Sequence, residues 1–461
     1  MRIACTTLGC KLNYAETSTY ERGFREAGHE TCSWDETADA YLINTCAVTV
    51  TAEKKSRNLI RKAHKLAPAA PVVVTGCYAE LKRTEILGIE GVARVFGAKE
   101  KGLVVPETLK LLERMETAVP ERVLFSRPLP QAGPSHLHGC MSSKTAPAPV
   151  TADESLRRAM AEEYREISKE TLPAYSTGGR TRSFLKVQDG CNNFCAYCTV
   201  PYARGESRNI PICELVKQAE AIAATGVREI VLTGVNTGDF GRTTGESFLD
   251  LLKALNQVEG IERYRISSIE PNLITEEAVD WIASGTKFQP HFHIPLQSGS
   301  DTLLKRVGRR YDTALFAGRI DYIRARMEQP GRAKVFFGID VIVGLPGETE
   351  ALFQETYTFL RDRIRPAYLH IFPYSPRPGT RAATMPDQVQ DRIKTERAAR
   401  LEELNEELQA AFREANKGLP ERVLWESTDR DGIMAGYTGN YIRVERPYDP
   451  GRSGQLEDIV L

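Results

Sequence analysis

Three cysteines lie within eight positions of one another in the segment GCNNFCAYCTVPYARG, residues 190–205. Cys191, Cys195 and Cys198 form a CxxxCxxC spacing, and close thiolates on a loop suit zinc or an iron–sulfur cluster. Both groups ordinarily take four protein ligands, yet the next cysteine, Cys213, is 15 residues further on in a predicted helix. The spacing therefore predicts a four-iron cluster with one iron open to a small molecule. A zinc site that recruits a remote ligand is the alternative.

A second set of cysteines follows three separate apolar runs near the N-terminus. Cys10, Cys46 and Cys77 end the segments RIACTTLGC, AYLINTC and PVVVTGC. Each run is followed by a helix-like stretch, and strands that alternate with helices predict a parallel, doubly wound sheet. Ligands bind such sheets beyond the carboxyl ends of the strands, so these three cysteines are predicted to meet along one edge. The alternative is three small buried side chains at strand ends.

A second series of strand-like runs extends from residue 183 to about residue 375. These runs are SFLKVQDG, REIVLTGVN, RYRISSI, HFHIPLQ, VFFGIDVIVG and AYLHIFPY, with helical stretches between them. Six strand–helix units predict an open, partial parallel barrel that carries its chemistry at the C-terminal strand ends. The CxxxCxxC run follows the first of these strands, where a barrel enzyme would hold a cofactor.

The remaining segments complete a predicted α/β architecture. A stretch rich in Pro, Ser, Thr and Gly predicts a linker with one inserted helix, DESLRRAMAEEYREIS. A long charged helix precedes a β-like end of the chain. The predicted parts are an N-terminal doubly wound parallel domain (1–127), the linker (128–180), a central partial (β/α)6 barrel (181–386), a connecting helix (387–418) and a small C-terminal antiparallel β-module (419–461).

The composition is that of an ordinary globular protein. The chain has 461 residues, 41% of them hydrophobic and 26% charged, with a formal net charge of +0. The N-terminus lacks the apolar region of a secretory signal, and no stretch approaches the ~18–20 apolar residues of a membrane helix. We therefore expect a cytoplasmic protein with reduced thiols. The cysteines without a predicted role, expected to be free thiols, are Cys5, Cys32, Cys140 and Cys213.

Several segments resemble the methylthiotransferases of the radical S-adenosylmethionine superfamily, and the resemblance covers nearly the whole chain. They are TLGCKLN, INTCAVT, VTGC, GCNNFCAYCTVPYARG, HFHIPLQSGSD, IDVIVGLPGET and FPYSPRPGT. The resemblance implies two catalytic [4Fe-4S] clusters, each with one open iron. The first, which binds S-adenosylmethionine, would be held by Cys191, Cys195 and Cys198. The second would be held by Cys10, Cys46 and Cys77.

The resemblance also implies the reaction. One S-adenosylmethionine methylates sulfur held at the second cluster, and another gives a 5′-deoxyadenosyl radical that abstracts an unactivated hydrogen so that methylthio can be added. The segments TLGCKLN with AETST, SIEP and VGRRYD are most similar to the branch that modifies carbon 2 of threonylcarbamoyladenosine next to the tRNA anticodon. Branches that act on isopentenyladenosine or on an aspartate of a ribosomal protein are the alternatives.

The implied partners are the tRNA anticodon stem-loop and an electron donor such as flavodoxin or ferredoxin, with no membrane and a monomeric chain. A non-enzymatic, metal-stabilised RNA-binding protein is the alternative from a different class, but such a protein needs no barrel around an open iron. An electron carrier would normally close its clusters with four thiolates.

Contacts to S-adenosylmethionine are predicted from position at the barrel strand ends. Glycines in LTGVNTGD allow close backbone approach, although a plain turn explains any single residue. Arg377 is predicted to contact RNA or cofactor, or to cap a strand end. The predicted cofactor-binding residues are Thr233, Gly234, Asn236, Ser268, Glu270, Gln297 and Ser298.

Phosphate contacts are predicted for three basic runs: EKKSRNLIRKAHK (53–65), KRVGRR (305–310) and IRARMEQPGRAK (323–334). Each could equally be a solvated face.

The C-terminal module resembles a TRAM domain, but residues 419–461 hold five Lys/Arg against eight Asp/Glu. We therefore expect the RNA-binding surface to lie on the N-terminal helix and the barrel rim. Trp425, Tyr437 and Tyr441 would stack on bases or pack in the core. In the linker, HLHGC could chelate a metal, but solvated side chains are the expectation there.

Overall fold

The computed structural model describes residues 1–117, 171–178 and 181–461. The predicted inserted helix and the HLHGC sequence lie outside these residues. Within the described residues, every helix is too short or too polar to cross a bilayer.

The N-terminal part is a five-stranded parallel sheet in the order β2-β1-β3-β4-β5. The central strand β3 and its neighbour β4 are buried along their whole length because helices cover both faces of the sheet. The predicted doubly wound sheet is therefore confirmed. Its strands are β1 Arg2–Thr7, β2 Glu30–Cys32, β3 Ala40–Thr45, β4 Val72–Gly76 and β5 Val92–Val95, and its helices are α1 Lys11–Glu26, α2 Val50–Leu66, α3 Cys77–Leu81, α4 Arg83–Leu87 and α5 Val104–Thr117.

The central part is a partial barrel of parallel strands, as predicted. It consists of two three-stranded sheets, β6-β9-β10 and β11-β12-β13, and a bridge between Tyr264 and Phe288 lies where the sheets meet. One continuous apolar core fills the space between strands and helices. The barrel strands are β6 Arg182–Lys186, β9 Glu229–Thr233, β10 Arg263–Ile266, β11 His291–Gln297, β12 Phe336–Val343 and β13 Tyr368–Pro373, and a small ribbon is formed by β7 Gln188–Asp189 and β8 Arg208–Asn209. The helices are α6 Val200–Arg204, α7 Ile212–Ala223, α8 Phe248–Asn256, α9 Glu276–Ala283, α10 Asp301–Val307, α11 Thr313–Met327 and α12 Glu350–Thr358.

The long charged helix, α13, runs from Asp391 to Asn416. Leu401, Leu404 and Leu408 form a narrow apolar stripe that belongs to the barrel core. The helix also contacts the edge strand β13, where Asn405 accepts a 2.8 Å hydrogen bond from the Leu369 N–H. The predicted connecting helix therefore also covers one edge of the open barrel.

The C-terminal module is an antiparallel sheet in the order β16-β15-β14-β17, as predicted. Trp425 is 2% exposed, packs with Val423 and Met434, and donates from Nε1 to Glu457 at 2.7 Å. It is therefore a core residue and is not available to stack on a base. The strands are β14 Pro420–Trp425, β15 Ile433–Thr438, β16 Arg443–Pro447 and β17 Leu456–Val460.

Barrel arginines hold this module through its main chain. Arg265 donates to the carbonyls of Thr438 and Gly439, both at 2.7 Å, and to Glu229 at 2.8 Å. Arg263 donates to the Tyr437 carbonyl at 3.1 Å. The turn between β15 and β16 thereby closes the barrel near the beginnings of its strands.

Candidate active site

The CxxxCxxC loop joins β7 to α6, and polar donors surround its sulfurs. The Asn193 N–H points at Cys191 Sγ at 3.5 Å, and the Val200 N–H points at Cys198 Sγ at 3.4 Å. The Arg309 guanidinium lies 3.1 Å from Cys195 Sγ. Backbone and guanidinium donors directed at sulfur stabilise thiolate character, which is how proteins tune iron–sulfur sites.

The chemistry of these thiols fits a cationic cluster. Burial raises the pKa of Cys191 to about 12, and repulsion by Cys195 adds to this effect. Burial also raises the pKa of Cys198, as do both neighbouring cysteines. Thiols with such pKa values stay protonated at neutral pH unless a positively charged group binds them. The loop is therefore suited to thiolates that a metal cluster neutralises.

Arg309 connects this loop to the barrel strand ends. Its side chain is 5% exposed and pairs with Glu270 at 2.7 Å, while its Nε donates to the Tyr311 hydroxyl at 3.0 Å. The KRVGRR run was predicted to contact phosphate, but Arg309 faces Cys195, and Arg306 pairs with Asp387 at 3.0 Å. A run of charges does not reveal which of its members face inward.

The N-terminal cysteines come together at one edge of the first sheet. They follow the adjacent strands β1, β3 and β4: Cys10 immediately precedes α1, and Cys77 begins α3. Burial raises the pKa of Cys46 to about 12, and the neighbouring Cys77 and Cys10 contribute to the shift. A Cβ on Gly9, the residue before Cys10, would lie 3.1 Å from Cys46 Sγ, so these segments are close together. These thiols, too, suit a cluster that carries positive charge.

A buried network of charges lies beside the N-terminal cysteines and joins the first sheet to the barrel. Lys186 Nζ is 2.8 Å from Glu16, and Arg204 is 2.8 Å from Asp189. Four cations face two carboxylates, so the network carries surplus positive charge. Burial raises the pKa of both Cys46 and Cys77, and Arg204 opposes this rise. The members, none more than 6% exposed, are Glu16, Lys101, Lys186, Asp189, Arg204 and Arg208.

Gly76 sets the backbone conformation that leads from β4 into Cys77. Its φ is +100°, and a Cβ there would lie 2.4 Å from both Asn44 Oδ1 and the Thr45 carbonyl. We expect Gly76→Ala to lower the free energy of unfolding by about 2 kcal/mol or more. The φ of +100° and ψ of −171° at Gly76 lie in a region open essentially to glycine alone, where a side chain costs about 1–3 kcal/mol, and the clash adds to this strain. Urea denaturation measures the loss, and the bound iron should fall towards half.

Gly28→Ala is the matched control for this substitution. Gly28 also has a positive φ, +85°, but a Cβ there would meet no atom within 4 Å. Gly28→Ala should therefore show the strain alone and retain its iron. Equal losses of stability in the two variants would contradict the clash argument.

The residues predicted to bind S-adenosylmethionine lie at the C-terminal ends of β9, β10 and β11. Asn236 Oδ1 accepts from the Glu270 N–H at 3.3 Å, so two of these strand ends are joined directly. Glu270 pairs with Arg309, which places this group next to Cys195. Ser298 already shares a 3.1 Å hydrogen bond with Thr356. The group comprises Thr233, Gly234, Asn236, Ser268, Glu270, Gln297 and Ser298.

Arg377 is 4% exposed and pairs with Glu53 of α2. The pairing joins the barrel to the first sheet. Burial lowers the pKa of Arg377, and the nearby Cys46 opposes this effect. The contact of Arg377 with RNA or with a cofactor stays a prediction.

Three histidines inside the barrel were not among the predicted site residues. His291 and His293 alternate along β11, and His370 lies on β13. His293 Nε2 is 2.6 Å from Asp340 Oδ1, and its ring stacks on His370 with centroids 4.7 Å apart. The period-two spacing in HFHIP was the available signal, since alternate residues of a strand share one face.

Two family models match separate parts of the chain. The model described as uncharacterized protein family UPF0004 matches residues 2–97, and the model described as the radical SAM superfamily matches residues 185–360. The first range contains Cys10, Cys46 and Cys77, and the second contains the CxxxCxxC loop.

Several curated proteins are similar along nearly their whole length. A Bacillus subtilis protein named threonylcarbamoyladenosine tRNA methylthiotransferase MtaB is 39% identical, over 96% of this chain and 89% of its own. A protein of the same name from Aquifex aeolicus is 35% identical, over 97% of each chain. A Geobacter metallireducens protein named tRNA-2-methylthio-N(6)-dimethylallyladenosine synthase is 30% identical, over 98% and 94%.

Among solved structures, the radical S-adenosylmethionine methyltransferase TsrM from Kitasatospora setae has a similar fold. The TM-score is 0.54 at 15% identity, and the match covers 83% of this chain and 74% of that one. At this identity the likeness concerns the fold alone.

Proposed function

The chain belongs to the radical S-adenosylmethionine methylthiotransferases, and on that premise we propose that it adds a methylthio group to carbon 2 of threonylcarbamoyladenosine next to the tRNA anticodon. The observation that carries this proposal is the sequence identity to relatives along nearly the whole chain. It is 39% to the Bacillus subtilis protein named for threonylcarbamoyladenosine and 30% to the Geobacter metallireducens protein named for dimethylallyladenosine. The two separate sets of three cysteines support the same chemistry.

Each set of cysteines is proposed to hold one [4Fe-4S] cluster. Cys191, Cys195 and Cys198 would bind the cluster that generates the radical, and Cys10, Cys46 and Cys77 would bind the one that carries sulfur. When bound, the clusters supply electron transfer to S-adenosylmethionine and a site for the transferred sulfur. The protein itself positions the reactants and excludes water.

Other residues are proposed to orient the cysteine thiolates and to neutralise their charge. Arg309 would hold the Cys195 thiolate in place while Glu270 fixes the guanidinium. Arg204 and its network would offset the negative charge of the three N-terminal thiolates. The strand-end group from Thr233 to Ser298 would contact S-adenosylmethionine, because it lies on the side of the barrel that carries Cys195.

The proposed macromolecular partner is the anticodon stem-loop of tRNA, which places the reaction in the cytoplasm. Helix α2 carries six Lys/Arg within residues 53–65 and is the first candidate for phosphate contacts. A flavodoxin or ferredoxin would supply electrons, and the chain would act as a monomer.

Mass spectrometry of tRNA nucleosides from cells with and without this gene tests the proposal. We expect 2-methylthio-threonylcarbamoyladenosine only when the gene is present. Loss of methylthio-isopentenyladenosine instead would keep the enzyme class and overturn the substrate. No change in either nucleoside would overturn the tRNA proposal.

A further inference from the structure

A cavity of about 950 Å³ occupies the inside of the barrel. It is bounded by the beginning of α1, by inward side chains of the barrel strands and by the turn of the C-terminal module. Its size is at the upper end of the range for small-molecule sites. The residues proposed to contact S-adenosylmethionine are not among those that line it. Cys10 and Lys11 both face it.

The charge of the cavity wall favours an anion. No Asp or Glu is among the described residues that line the cavity, whereas five Lys/Arg and three His are. A buried charge is costly unless it is paired, so a wall of one sign calls for a ligand of the opposite sign. The basic residues are Lys11, Arg182, Arg265, Arg413, Arg443, His291, His293 and His370.

Several of these cations are already neutralised, but Lys11 is not. Arg265 pairs with Glu229 at 2.8 Å, and Arg182 pairs with Glu426 at 2.7 Å. Lys11 makes no hydrogen bond or ion pair with any residue in the described part of the chain. Its ammonium group can therefore bind a ligand without breaking an existing contact.

His291 provides a second unpaired polar atom in the same wall. Its side chain is 8% exposed, and its Nδ1 is buried without a hydrogen-bond partner among the described residues. Phe336 stacks on the ring at 5.1 Å between centroids, and Tyr441 packs against it at 4.9 Å, so the ring is held in place. A buried polar atom without a partner costs free energy, which a ligand oxygen would recover.

A divalent metal is the less suitable ligand for this cavity. His293, Asp340 and His370 offer ligand atoms within 4.8 Å of one another. However, Asp340 is already hydrogen-bonded to His293, and no carboxylate is among the described residues that line the cavity. A cation would be repelled there, whereas an anion would be attracted.

We propose that this cavity receives the N6 substituent of the target adenosine and that Lys11 and His291 bind its carboxylate. Threonine joined to adenosine through a carbamoyl group keeps its carboxylate and hydroxyl, whereas an isopentenyl group has neither. Because Lys11 follows Cys10 directly, the carboxylate would be anchored next to the proposed sulfur-carrying cluster. This inference rests on the proposed function and identifies what would select its substrate.

Two anticodon stem-loop RNAs test the inference. They differ only in that the threonyl carboxylate of one is a neutral carboxamide in the other. We expect the wild-type holoenzyme to bind the carboxylate RNA about 10- to 100-fold more tightly in fluorescence anisotropy, the range for a charge-assisted hydrogen bond. Lys11→Met should remove this preference by weakening the carboxylate RNA alone. Lys110→Met, which alters an exposed lysine of α5, should preserve it.

A second variant guards against an indirect effect on Cys10. His291→Phe keeps an aromatic ring against Phe336 and removes the donor, so it should reduce the preference while the iron content stays that of the wild type. Equal wild-type affinity for both RNAs would overturn the inference, as would a preference that survives Lys11→Met. If the wild type methylthiolates the carboxylate RNA without discriminating, the inference alone fails. If it does not methylthiolate that RNA, the proposed function fails as well.

Discussion

Cys46→Ala is expected to abolish methylthio transfer while S-adenosylmethionine is still cleaved. Cys46 lies with Cys10 and Cys77 at the edge of the first sheet and is not one of the thiols of the CxxxCxxC loop, so its loss should leave the radical-generating site intact. Cys195→Ala should abolish cleavage and transfer together. Single-turnover assays that measure 5′-deoxyadenosine and methylthiolated nucleoside in parallel separate the two outcomes.

Cys213→Ala is the control for these cysteine substitutions. Cys213 is an exposed thiol on α7, and neither cluster is proposed to use it. Its replacement should leave cleavage, transfer and iron content unchanged. Methylthiolated product from the Cys46→Ala protein would show that the N-terminal cysteines do not hold the sulfur-carrying group.

Glu16→Gln is expected to lower the free energy of unfolding by about 3–5 kcal/mol, the cost of breaking a buried ion pair. Glu16 is fully buried and accepts contacts from Lys101 at 2.9 Å and Lys186 at 2.8 Å. Without it, four buried cations would face Asp189 alone. Urea denaturation measures the loss. Glu107→Gln is the control, since Glu107 pairs with Lys110 on the surface of α5 and should have little effect.

The same substitution should change the response to acid. The surrounding cations hold the pKa of Glu16 far below its usual value although burial opposes them. A carboxyl whose pKa is lower in the folded protein stabilises the fold above the unfolded pKa, about 4.3, and this contribution is lost as pH falls further. The free energy of unfolding of the wild type should therefore exceed that of Glu16→Gln by less and less as the pH falls below about 4. A constant difference between the two proteins down to pH 2 would contradict the assignment.

The features that could be predicted from the sequence were those with a local pattern. Apolar runs that alternate with helical stretches predicted the parallel strands of the N-terminal sheet and of the barrel, and the cysteines at strand ends marked one edge of the N-terminal sheet. The family resemblance drawn from the same segments is confirmed by relatives similar along the whole chain. The C-terminal strands followed from alternating residues between turn-forming segments.

Features that depend on distant residues were missed. The members of the buried charge network are spread from Glu16 to Arg208, and each alone reads as an ordinary surface charge. Arg309 belongs to a basic run, and only the fold shows that it turns towards Cys195. Helix α13 was predicted as a connector because its charges hide the narrow stripe of leucines that packs on the barrel.

The attachment of the C-terminal module has a consequence for how this enzyme can evolve. Arg263 and Arg265 bind main-chain carbonyls of the module, so this part of its attachment to the barrel depends on backbone shape and not on side-chain identity. Surface residues of β15 and β16 can therefore be exchanged without releasing the module. The outer face is thus free to adapt to a different RNA while the floor of the barrel stays closed. Chimeras that carry the module of a relative should remain assembled provided the turn at Thr438–Tyr441 keeps its conformation.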